Sequence, residues 1–127
     1  MPEPKAYSYA VLRVVPRVDR DEFMNAGVIL FSQELRYLGA RVHLDEGRLS
    51  ALAPGVDAAA IRRHLEAVPR VCVGDAGAGP IARLPMKDRF HWLTAPRSTM
   101  IQVSPIRTGI TAEPERALEA LIEDLVR

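Results

Sequence analysis

A chain of 127 residues has room for one hydrophobic core, and folding buries about two thirds of its surface, enough to stand without disulfides or a structural metal. An apolar share of 48% and a charged share of 26% exclude a disordered chain. A net charge of +1 argues against a long nucleic-acid footprint, which needs a clustered positive excess.

The first element is a strand over residues 6–15, "AYSYAVLRVV". Tyr7, Tyr9, Val11 and Val15 share one face, and Ala10, Leu12 and Val14 share the other. Both faces are mostly apolar, as suits a strand covered on both sides. Pro16 and the charged "RVDRDE" interrupt the pattern. A second strand follows over residues 25–32, "NAGVILFS", where Gly27 signals a bulge or a close backbone approach. The third, Tyr37 to Leu44, alternates more cleanly. Leu38, Ala40, Val42 and Leu44 point inward, and Tyr37, Arg41 and His43 point outward. Short connections make the three an antiparallel meander.

After the connection "DEGRLSALAPG", Asp57 caps a helix of roughly a dozen residues. Ile61, Leu65 and Val68 recur at helical spacing, Arg62, Arg63 and Glu66 take the solvated side, and Pro69 ends it. "GDAGAGP" reads as a flexible connection, and a short helix forms around Met86, Phe90 and Leu93. "STMIQVS" is a further strand. In the last helix Thr111 is the cap, Pro114 fits the first turn, and Leu118, Leu121, Ile122 and Leu125 line one face. The expected class is α+β: one domain over residues 1–127, with an antiparallel sheet of four or five strands and two or three helices packed on it.

Few residues carry recognisable chemistry. Lys5 and Lys87 are the only lysines among 17 basic side chains, a bias that a G- and C-rich genome explains. Cys72 is the single cysteine, so no internal disulfide forms; its apolar neighbours read as core. His43, His64 and His91 lie far apart without zinc-ligand spacing, so no metal or other cofactor is expected. His91, beside Trp92, has the chemistry of a proton shuttle. Gly74, Gly77 and Gly79 miss both the phosphate-loop and dinucleotide patterns, though their backbone N–H groups, with Arg83 nearby, suit an anion. The acidic pairs at Asp19, Asp21 and Glu22, and at Asp45 and Glu46, fall in turns where such residues are ordinary. The opening "MPEPKAYSYA" lacks the features of a signal peptide, and no run is long enough to span a membrane, so the cytoplasm is the expected location.

The most polar stretch is "RFHWLTAPRSTMIQVSP". Pro96 pre-sets the backbone of a loop from which Arg97 offers a fork suited to a carboxylate or phosphate. Alternation puts Ser98, Gln102 and Ser104 on one side of the strand, together with Met100. Ile101, Val103 and Thr99 take the core side. Arg97 stands at the rim of the polar row, with Arg107 and Thr108 beyond. Arg97, Ser98, Gln102, Ser104 and Arg107 are therefore the candidate ligand- or partner-binding residues. The alternative is that these groups satisfy the protein's own backbone. No catalytic constellation is legible.

Two segments, "YSYAVLRVVPRVDRDEFMNAGVILF" and "RFHWLTAPRSTMIQVSPIRTG", resemble a bacterial family known only as domain of unknown function 3037. The resemblance runs over nearly the whole chain. Glu22, Phe23 and Asn25 to Gly27 match the first segment, and Arg97, Ser98 and Gln102 match the second. The family brings no activity or catalytic residues. It does imply a neighbourhood beside HipA-like kinases, and hence a companion role. The leading expectation is a non-catalytic interaction or accessory module with a protein partner, such as a HipA-like kinase, or a second copy. The alternative is a small protein or enzyme that binds a phosphorylated ligand at the Arg97–Ser104 strand.

Overall fold

The meander expected from the first third of the chain forms the centre of the sheet. In the computed structural model, which describes residues 3–20, 22–96 and 99–127, β1 (Lys5–Val14), β2 (Met24–Ser32) and β3 (Tyr37–Val42) pair antiparallel. Two shorter strands, β4 (Ile101–Val103) and β5 (Arg107–Thr111), pair end to end along the other side of β1. The sheet thus runs β3–β2–β1 and then β4 with β5, all antiparallel. The fold is α+β, with five strands and four α-helices among the described residues.

Two register shifts decide which side chains face which layer. Leu12 pairs with Gly27 but Arg13 pairs with Asn25, so Ala26 is an extra residue on β2. This bulge changes the alternation, and Ala26 and Met24 continue the face begun by Ile29 and Phe31. Gly27 beside it is required by space, since a Cβ there would lie 2.8 Å from the Arg41 carbonyl oxygen. On the other edge, Val103 opposes Leu12 and Arg107 opposes Tyr9. The interruption at Ser104, Pro105 and Ile106 therefore holds one residue more than the stretch of β1 it faces.

Helices cover both faces. On one, α1 (Glu46–Leu52), α2 (Ala58–Cys72) and α3 (Met86–Leu93) bring Leu49, Ile61, Leu65, Phe90 and Leu93 onto Leu12, Val14, Ile29 and Phe31. On the other, α4 (Pro114–Leu125) sets Leu118 and Ile122 over Val28 and Leu30. Asn25 Nδ2 donates to the Leu125 carbonyl at 3.0 Å, tying the end of α4 to β2.

The expectation of two or three helices is corrected to four. The unexpected one, α1, lies in the stretch read as a connection. Asp45 accepts from Arg48 N at 3.0 Å to cap it, and buried Leu49 anchors it. At seven residues, about two turns, with Gly47 inside, it is too short for an apolar stripe to recur clearly. Pro69 does not end the second helix, which runs on to Cys72. Burial of Val71 and Cys72 offsets the N–H that Pro69 lacks, and the helix stops at Gly74, whose φ of 74° is left-handed. Thr111 is not the cap of α4. That position belongs to Glu113, whose N–H Thr111 Oγ1 accepts at 3.0 Å. The glycine connection is wound into two 3-10 turns, Ala76–Ala78 and Pro80–Arg83. Asp75 braces the first by accepting from Gly77 N and pairing with Arg70, each at 2.9 Å. The Arg70 hydrogen bond and then the Gly77 N–H hold the Asp75 carboxyl below its usual range.

Candidate functional site at the edge strand

β4 has a different environment on each face. Its register sets Ile101 opposite Val14 and Val103 opposite Leu12, on the side covered by α2. Gln102 opposes Arg13 and is also among the residues lining the groove between β4 and α2. Ile101 and Val103 pack on the core, as their spacing in the strand predicts.

The five candidate residues do not share one environment. Arg97 and Ser98 lie outside the described residues. Gln102 is half-buried, and its Nε2 donates to the Thr99 carbonyl at 2.9 Å. Ser104 is only 4% exposed. Its Oγ accepts the Val11 N–H at 2.8 Å and donates to the Pro105 carbonyl at 3.0 Å, and its own N–H donates to Val11 O at 2.9 Å. That hydroxyl serves the backbone of the break between β4 and β5. Arg107 lies beyond the break, exposed, opposite Tyr9.

The register reveals a polar row that the sequence did not single out. Arg13 is flanked in β2 by Asn25 and in β4 by Gln102. Its guanidinium carbon lies 4.3 Å from the centroid of the Phe23 ring, a cation–π contact with a side chain that is itself 47% exposed. Arg13 Nε and Asn25 Oδ1 are buried with no hydrogen-bond partner among the described residues. The signal available in sequence was a lone arginine inside "VLRVV", a strand otherwise apolar on both faces.

On the helix-covered side of β4 lies a groove of about 720 Å³ between that strand, α2 and the end of α3. Its α2 wall carries Ala60, His64, Ala67 and Val71, spaced by four, three and four residues along one helical face. Trp92 and Met100 close the outer end, 43% and 37% exposed. Ile101 and Val103 form the sheet-side wall, and Leu12 and Ile61 contribute from the core. Ile61 and Val68 of the expected stripe also line the groove, but its extension through Ala60 and Ala67 was hidden in sequence because alanines add little to a periodicity.

A further cleft of about 610 Å³ lies where the loop of Arg17, Arg20 and Glu22 meets the end of α1. Its charges are matched locally, Arg17 with Asp19 and Arg20 with Glu22. Among the described residues no three His, Cys, Asp or Glu side chains gather as metal ligands, and no helix is long and apolar enough to cross a membrane.

Residues 9–126 match the family described as "Protein of unknown function (DUF3037)", a span from the middle of β1 to the end of α4. The chain belongs to this family. No curated protein and no solved structure matches it. Both surfaces of this DUF3037 chain that meet at β4 fall inside the matched span, the polar row and the groove alike.

Proposed function

We propose that this protein is a non-catalytic interaction module of the bacterial cytoplasm, with the groove between α2 and β4 as its docking surface. The observation that carries the reading is the groove itself, a large apolar concavity with Trp92 and Met100 exposed at its mouth. Its volume falls within the roughly 300–1,000 Å³ of ordinary ligand clefts, and contiguous apolar surface of this kind marks contact sites. The partner is another protein. The family resemblance makes a HipA-like kinase the first to try, and a second copy of the chain is the next. Affinity capture from the native host after nuclease treatment tests this, with Ala67→Arg filling the groove as control. A stoichiometric partner held by the wild type and lost in the control is the expected result. Recovery of the protein alone, or equal capture by both, contradicts the reading.

A second reading rests on the polar row. A small phosphorylated ligand would satisfy Arg13 together with Gln102, with Arg97, Ser98 and Arg107 as contributors. The unpartnered donor Arg13 Nε favours it. Under this reading nucleotides or sugar phosphates raise the melting temperature and Arg13→Gln removes the rise; a flat response across such a panel argues against it.

A further inference from the structure

Resting on the docking reading above, we infer that the groove takes an amphipathic helix of a partner protein whose apolar stripe is flanked by carboxylates. Three observations point to this chemistry. The first is charge. Among the described residues Arg63 and His64 line the groove, and no Asp or Glu does. The other two arginines of α2 are matched, Arg62 with Glu46 and Arg70 with Asp75 at 2.9 Å. The side chains of Arg63 and His64 have no hydrogen bond or ion pair among the described residues, and exposed Glu66, three residues on from Arg63, neither pairs with it nor lines the groove. The charge of Arg63 is thus left unanswered among the described residues, and complementary charge steers a partner and fixes its register.

The second observation is shape. Ala60 and Ala67 lie about two turns apart on one face of α2, with His64 between them. Small side chains at such positions allow another helix to pack closely, its larger side chains entering the groove toward Val68, Val71, Ile101 and Val103. The third is what the sheet edge disfavours. A partner adding as a strand would need a continuous edge, but β4 has three residues and the edge breaks at Pro105, which has no N–H to give. A helix lying along α2 makes no demand on that edge.

The test is selection from a random peptide library displayed on phage, with Ala67→Arg as counter-selection, followed by a second selection on Arg63→Glu. Arg63 is exposed and unpaired, so that variant keeps the fold. The expected winners carry apolar residues at helical spacing flanked by Asp or Glu, quench or shift Trp92 emission on binding, and bind Arg63→Glu roughly tenfold more weakly. Selection on Arg63→Glu then shifts the flanks toward Lys and Arg. Apolar winners with no acidic flank, binding both proteins equally, overturn the charge inference and leave the groove reading standing. Winners that bind Ala67→Arg as well as the wild type, or no winners, overturn both.

Discussion

At the break in the edge strand, the Ser104 hydroxyl stands where a ladder carbonyl would accept the Val11 N–H, at 2.8 Å inside a buried stretch. Removing it leaves that N–H without a partner away from water. Ser104→Ala is therefore expected to cost about 1–3 kcal/mol in urea unfolding, and a loss near zero would mean the N–H finds another acceptor. Cys72 makes a second prediction. Burial pushes its thiol from 9.0 up to about 12, with the Arg89 charge opposing. The unfolded chain loses this proton near pH 9 while the folded chain keeps it to about 12. Its contribution is therefore complete below the lower value and is lost as pH rises between the two. Stability should fall between those values by on the order of 1 kcal/mol per pH unit more in the wild type than in Cys72→Ala, and the native thiol should resist alkylation at neutral pH. The reading of Cys72 as core was available from "VCVG". That Ser104 serves the protein's own backbone was the alternative the sequence offered for the polar row, but its partner, the Val11 N–H, was not legible because it depends on how β4 and β5 register on β1.

Among the elements, α2 best separates what pattern reveals from what packing decides. Its start was legible: Asp57 accepts from Ala60 N at 3.0 Å, and Ile61 and Leu65 are buried as their spacing requires. Its end was not, since Pro69 signals a stop that the burial of Val71 and Cys72 overrides. The true stop is left-handed Gly74, where the Gly74 N–H donates to Val71 O at 3.1 Å and the Asp75 N–H to Arg70 O at 3.0 Å. Gly74→Ala should cost about 1–2 kcal/mol, read as a lower urea midpoint, because Cβ is strained in that conformation and would also sit 3.2 Å from Arg89 Nη1. β5 was absent from the sequence reading for a related reason. Arg107 to Thr111 is exposed over most of its length, so it shows no buried face to give it a period. Pairing with Lys5 to Tyr9 of β1 makes it a strand.

For the whole molecule, the α+β class was legible because strands crowd the first third and helices follow singly. The distribution of helices over the two faces was not, since which side a helix takes is fixed by the topology of the chain and not by its own pattern. The single core expected from the length is divided by the sheet into two clusters, and β2 contributes to both, with Ile29 and Phe31 on one side and Val28 and Leu30 on the other. This sharing predicts that damage to the smaller core is felt throughout. Leu118→Ala, at a fully buried position of α4, should cost about 2–5 kcal/mol in a single cooperative transition, whereas separate transitions would show the layers to be independent. Much the same applies to the groove, which belongs to no single element. It exists because α2, the end of α3 and β4 enclose a space that their core-facing side chains leave open. At 14.0 kDa the protein suits amide and indole chemical-shift mapping by NMR, which tests the docking reading directly once a partner is captured. Shifts confined to Ala60 to Val71, the Trp92 indole and Ile101 to Val103 are the predicted result. Shifts centred on α4 or β3, with those groove signals unmoved, would contradict it.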